Sequence, residues 1–139
     1  MKTIRVAVFD DNQPRRELLE ILLDSTEGYK CAGAYEDCRD VLRHIAHDPP
    51  DVVLMDIDMP HVNGIEGLAL IKQHFPQVKV LMQTIFEDET KIFNAIVAGA
   101  DGYILKKASP LKLLDGIREV MEGGAPMTPV VAKQVLLLF

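Results

Sequence analysis

Basic residues are in short supply in this chain: 15 Lys and Arg stand against 21 Asp and Glu, a formal net charge of −6 at pH 7. That balance excludes a broad nucleic-acid face on this segment, because neutralising phosphates takes clustered Lys and Arg. Cysteine is scarce as well. Cys31 and Cys38 are the two thiols, at a spacing that fits no metal motif, and both are expected to be reduced and structural. No run of 18 apolar residues occurs, so no membrane-spanning helix is expected. The N-terminal MKTIRVAVFDD reaches acidic residues before any long apolar stretch or small-residue cleavage site, which predicts a cytoplasmic rather than a secreted chain. Glycine-rich phosphate loops are missing too, since Gly64 and Gly67 form neither a dinucleotide fingerprint nor a Walker-type loop. His44, His47, His61 and His74 are scattered without ligand spacing and are assigned to no metal.

What remains is the mixture of a folded domain, 139 residues with 48% hydrophobic and 26% charged. Five short apolar runs alternate with stretches of helical period. The runs are Ile4–Phe9, Cys31–Tyr35, Val52–Met55, Val78–Met82 and Tyr103–Leu105. The first, third and fourth are nearly continuous in apolar character, as in strands buried on both faces of a parallel sheet. Between them, Leu18, Leu19, Leu22 and Leu23 make one amphipathic stripe, repeated by Ile92, Phe93, Ile96 and Val97 and by Leu113, Leu114, Ile117 and Val120. Pro14 and Ser109-Pro110 mark helix starts, and Gly99 and Gly123-Gly124 mark stops.

This alternation predicts an α/β fold: a doubly wound, flavodoxin-like five-stranded parallel sheet, order 2-1-3-4-5, with five helices in three layers. Ligands of such sheets collect at the carboxyl ends of the strands. Asp10, Asp11, Asp56, Asp58, Thr84 and Lys106 all follow apolar runs and are therefore read together. Three converging carboxylates repel one another unless their pKa values rise or a divalent cation joins them, and hard oxygen ligands suit Mg²⁺. A hydroxyl from Thr84 and an ammonium from Lys106 complete a pocket of phosphoryl size, in which Asp56 is the carboxylate nucleophile.

The segments VFDD, LMDIDMP with Gly64, LMQT and DGYILKK, in this order and spacing, resemble the receiver domain of bacterial two-component response regulators over roughly residues 4–122. The resemblance implies that Asp56 is the phosphoacceptor and that Asp10, Asp11 and Asp56 hold Mg²⁺ or Mn²⁺. Asp11 would bind directly, Asp10 largely through water, and the backbone carbonyl of Asp58 would complete the shell. Thr84 and Lys106 match the groups that bind phosphoryl oxygens. Thr84 and Tyr103 match the switch pair, whose movement remodels the face made by the fourth helix, fifth strand and fifth helix. Such proteins take the phosphoryl group from a sensor histidine kinase, and the remodelled face controls homodimerisation or an output domain.

The stretch GADGYILKKASPLKLLDGIREV is similar to the NarL/FixJ type, whose output is a DNA-binding helix-turn-helix. Residues 1–124 then form the receiver. Residues 125–139 form a linker and the start of a C-terminal helix toward an output domain not contained in the chain. A natural single-domain relative is the other reading of that end. Ile85, where the family usually has a small residue, is expected to narrow donor access, and Asp58 and Phe86 occupy positions that tune dephosphorylation. Competing readings are a degenerate or stand-alone receiver that acts as an interaction module, and a carboxylate-nucleophile phosphatase with Asp58 as second acid.

Overall fold

The computed structural model describes residues 2–85 and 88–138, so Phe86 lies outside the described residues. The first half of the chain contains β1 (Ile4–Phe9), α1 (Gln13–Ser25), β2 (Tyr29–Tyr35), α2 (Val41–His47), β3 (Val52–Asp56) and α3 (Gly64–His74). The second half contains β4 (Lys79–Thr84), α4 (Glu89–Val97), β5 (Gly102–Leu105), α5 (Pro110–Met121) and α6 (Pro129–Leu138). All five strands are parallel, in the order β2-β1-β3-β4-β5.

Side-chain alternation divides the core in two. Val6 and Val8 of β1, Leu54 of β3 and Leu81 of β4 meet Leu19 and Leu23 of α1 and Leu113, Ile117 and Val120 of α5. Ala7, Phe9, Val53, Met55, Val80 and Met82 point the other way, onto Ile45 of α2, Leu68 and Ile71 of α3 and Ile92 of α4. Every residue of β3 is buried, which is why that run reads as unbroken apolar character up to Asp56. β2 begins at Tyr29, two residues before the apolar run suggests, because the Tyr29 hydroxyl donates to the Leu114 carbonyl at 2.8 Å and its ring joins the core.

The helix starts are built as the sequence predicts. Asn12 caps α1 and Ser109 caps α5, each accepting from a backbone N–H of the first turn, with a proline in that turn. Gly99 (φ 98°) and Gly123 (φ 88°) end α4 and α5 in the left-handed region.

The five expected helices are α1 to α5, and the described residues hold a sixth, α6, within 125–139, where the start of a C-terminal helix is expected. After Pro126 the chain bridges β5, with Tyr103 N donating to the Pro126 carbonyl at 2.9 Å and Tyr103 pairing Met127. It then turns into α6, whose Val131 is fully buried in the same cluster as Ile92, Ala95 and Tyr103. Residues 126–131 thus continue the packing of the domain. The physical reason is local: Pro126 and Pro129 stop one segment and start the next, and Val131 and Val135 find apolar surface within reach. No helix among the described residues is long and apolar enough to cross a membrane.

Candidate functional site

The carboxyl ends of β1 and β3 lie side by side because β1 pairs β3 from Val6↔Val52 to Phe9↔Met55. Asp10 follows β1 and Asp56 ends β3, so their carboxylates meet at the rim of the sheet with Asp11 beside them. One oxygen from each of Asp10, Asp11 and Asp56 lies within 4.8 Å of the others, the one such grouping of His, Cys, Asp and Glu among the described residues. Asp10 and Asp56 are buried and Asp11 is exposed, so the cluster opens to solvent on one side.

Lys106, immediately after β5, reaches back across the sheet. Its Nζ donates to Asp56 Oδ2 at 2.9 Å and stands 3.1 Å from Asp10 Oδ2. Its backbone N–H donates to the Thr84 carbonyl at 2.8 Å, which fixes the lysine against the end of β4. Thr84 is itself buried there. Burial pushes the Asp56 carboxyl up from 3.8 to about 6; Lys106 opposes that shift and Asp10 adds to it. The carboxylate is therefore poorly solvated and held by one ammonium.

The backbone around Asp56 is tightly packed. The Asp58 N–H donates to Asp56 Oδ1 at 3.3 Å, and the Gly64 N–H at the start of α3 donates to the Ile57 carbonyl at 2.9 Å. A Cβ on Gly64 would fall 1.9 Å from the Asp56 carbonyl oxygen, so only glycine lets α3 begin so close to Asp56. Asn63 caps that helix through the Glu66 N–H.

Asp10, Asp11, Asp56, Asp58, Thr84 and Lys106 all lie at the carboxyl ends of their strands, and Tyr103 lies inside β5. Tyr103 is buried on β5 beside Val131. Ile85 is 63% exposed just past the end of β4. The Asp58 carboxylate pairs with Lys91 of α4 at 2.7 Å. Both cysteines are free thiols, and burial pushes Cys38 up to about 12, so it is an inert core residue.

Three participants escaped the sequence reading: Arg15, Gln83 and Lys91. Arg15 Nε lies 3.3 Å from Asp10 Oδ2, and its other nitrogens donate to the Gln83 side chain and to the Lys106 carbonyl. Burial lowers the Arg15 pKa, against the opposing pull of Asp10 and Asp56. The available signal was its position, one helical turn after the acidic pair. Gln83 was visible as the polar residue that interrupts the apolar run ahead of Thr84.

Residues 6–118 match the response regulator receiver domain family. The chain belongs to that family. It is 33% identical over 133 residues to the transcriptional regulatory protein DegU of Brevibacillus brevis, covering 96% of this chain and 56% of that one. It is 36% identical to the transcriptional regulatory protein LnrK of Bacillus subtilis (strain 168), covering 96% of this chain and 60% of that one. A LuxR-family two-component response regulator from Aurantimonas sp. SI85-9A1 superposes with a TM-score of 0.89 at 28% identity, over 97% of this receiver and 96% of that chain. The receiver thus spans less than two thirds of the length of these curated relatives, which are named as transcriptional regulators rather than enzymes.

The acidic cluster fits the divalent cation that the family implies. It joins three oxygen ligands with an open side, and the buried Asp10 Oδ2 makes ion pairs but no hydrogen bond, leaving acceptor capacity unused.

Proposed function

We propose that this receiver is a phosphorylation-dependent switch in which Asp56 accepts a phosphoryl group from a phosphohistidine of a sensor kinase. The observation that carries the proposal is the placement of Asp56: a buried carboxylate, paired by Lys106 and bordered by two further carboxylates at the open edge of the sheet. An oxygen of Asp56 would attack phosphorus in line, forming the acyl phosphate as the P–N bond breaks and the donor imidazole leaves. Lys106 is positioned to follow the charge onto a phosphoryl oxygen, and the Thr84 hydroxyl at the adjacent strand end would donate to another. A Mg²⁺ or Mn²⁺ ion held by Asp10, Asp11, Asp56 and the Asp58 carbonyl would neutralise phosphoryl oxygens during transfer.

The switch would run from Thr84 to Tyr103 and from there to α6. Tyr103 shares its buried cluster with Val131 and its backbone with Pro126, so movement at β5 is felt by the C-terminal helix directly. We assign residues 1–124 to the receiver and 125–139 to the link with a DNA-binding output domain in a cytoplasmic transcription regulator. Phosphorylation would shift a population between two arrangements of the α4, β5 and α5 face, changing homodimerisation or release of that output domain.

The test is incubation with Mg²⁺ and acetyl phosphate followed by intact-mass measurement and peptide mapping. Wild type is expected to gain one phosphoryl group on Asp56. No adduct, or an equal adduct on Asp56→Asn, defeats the proposal.

A further inference from the structure

Lys106 is asked to serve two carboxylates at once. Its Nζ lies 2.9 Å from Asp56 and 3.1 Å from Asp10. To meet a phosphoryl oxygen on Asp56 it has to leave Asp10, which has no exposure at all and pays heavily if left uncompensated.

Arg15 supplies what Lys106 would withdraw. Its Nε stands 3.3 Å from the same Asp10 Oδ2, and one terminal nitrogen reaches the Lys106 carbonyl at 3.3 Å. The other terminal nitrogen donates to Gln83 Oε1. Gln83 is fully buried on β4, in register with Asp56 on one side and Ile104 on the other, and its flanking residues on the strand are apolar apart from Thr84. Its Nε2 makes no hydrogen bond among the described residues, so the bond to Arg15 is the contact that accounts for a buried amide there. The planar guanidinium fork suits such a three-way anchorage, which an ammonium could not make.

We propose that Arg15, latched by Gln83, is a positioning residue that acts as a resident cation of the pocket. It neutralises Asp10, frees Lys106 for the phosphoryl group, and weakens the pocket's attraction for a divalent ion. This rests on the phosphoacceptor reading above. Without Arg15, three carboxylates would face a single ammonium. With it they face two positive charges, and an incoming Mg²⁺ meets a less negative site. The arginine therefore trades metal affinity for a lysine that is free to move.

The experiment compares wild type, Arg15→Met, Arg15→Lys and the double variant Arg15→Met/Gln83→Leu. Mg²⁺ affinity of the unphosphorylated proteins is measured by calorimetry, and the rate of acetyl phosphate labelling at saturating Mg²⁺ by intact mass. Removing one nearby positive charge is expected to tighten Mg²⁺ binding about tenfold in Arg15→Met and in the double variant. Both should label more slowly than wild type once Mg²⁺ saturates, because Lys106 is retained by Asp10. Arg15→Lys should keep Mg²⁺ affinity within about twofold of wild type, since it keeps the charge. The double variant replaces the buried amide with an apolar side chain of similar size, so folding does not depend on the latch. Unchanged Mg²⁺ affinity in the double variant, or labelling as fast as wild type, overturns the role of Arg15. A wild type that neither binds Mg²⁺ nor becomes labelled overturns the phosphoacceptor reading itself, a separable result.

Discussion

Lys106 Nζ lies 2.9 Å from Oδ2 of Asp56, joining the residue after β5 to the last residue of β3 across the intervening strand β4. That ion pair is largely withdrawn from solvent, with the two side chains 13% and 3% exposed, so it is not screened like a surface pair. Lys106→Met leaves Asp56 buried without a cation. The expected loss is about 3 kcal/mol of stability at pH 8, shrinking toward pH 5 as Asp56 takes up a proton. Denaturant melts at the two pH values check this. Acetyl phosphate labelling should also fall by at least about tenfold.

The raised pKa of Asp56 has a signature in stability. Its folded value, about 6, lies above its ordinary value of 3.8, so between these the folded state binds the proton more tightly than the unfolded chain. Stability linked to this group is present in full below about pH 4 and is lost as pH rises through 6. Asp56→Asn carries no such charge. In metal-free buffer it should exceed wild type by about 3 kcal/mol above pH 7 and converge with it near pH 4, read from parallel denaturant titrations. A constant difference across that range would contradict the burial argument.

Gly64 holds the backbone of Asp56 in place. The Cβ of Gly64→Ala would sit 1.9 Å from the Asp56 carbonyl oxygen and 2.7 Å from its carbon, and those are backbone atoms that move only together with β3. The variant is expected to lose about 2 kcal/mol and to bind Mg²⁺ more weakly because the Asp56 carboxylate shifts. Thermal melts and Mg²⁺ titration measure the two effects independently.

Val131 anchors α6 to the receiver. Val131→Ala removes two buried methyl groups from the cluster that holds Tyr103, at a cost of about 2 kcal/mol. The loss should be local. In hydrogen exchange the Tyr103 amide, bonded to the Pro126 carbonyl, should exchange faster while the β3 amides keep their protection. Equal loosening of β3 would show that α6 and the sheet unfold as one unit.

The Asp58–Lys91 pair bears on the phosphatase reading considered from the sequence. Asp58 sits two residues after Asp56, where a second catalytic acid would stand, but its carboxylate is engaged by Lys91 Nζ at 2.7 Å on the exposed side of the site. Ile85, expected to narrow donor access, is 63% exposed just past the end of β4.

The sequence by itself determined the fold and which polar residues gather at one edge of the sheet. A parallel sheet covered on both faces demands unbroken apolar runs, and Ile4–Phe9 and Val52–Asp56 carry that demand in their composition. Because the active edge of such a sheet is always the carboxyl end, Asp10, Asp11, Asp56, Thr84 and Lys106 could be placed from their order alone. Local rules also marked the helix starts at Pro14 and Ser109 and the stops at Gly99 and Gly123. Tertiary structure decided what depends on distances between segments far apart in the chain. Arg15 and Gln83 are separated by 68 residues and Lys91 and Asp58 by 33, and no periodicity links such pairs. Nor could composition say whether the tail after Pro126 would stand free or dock, because its apolar residues allow either. The strip of β5, α4 and buried Tyr103 beside it is what gives α6 a surface to cover.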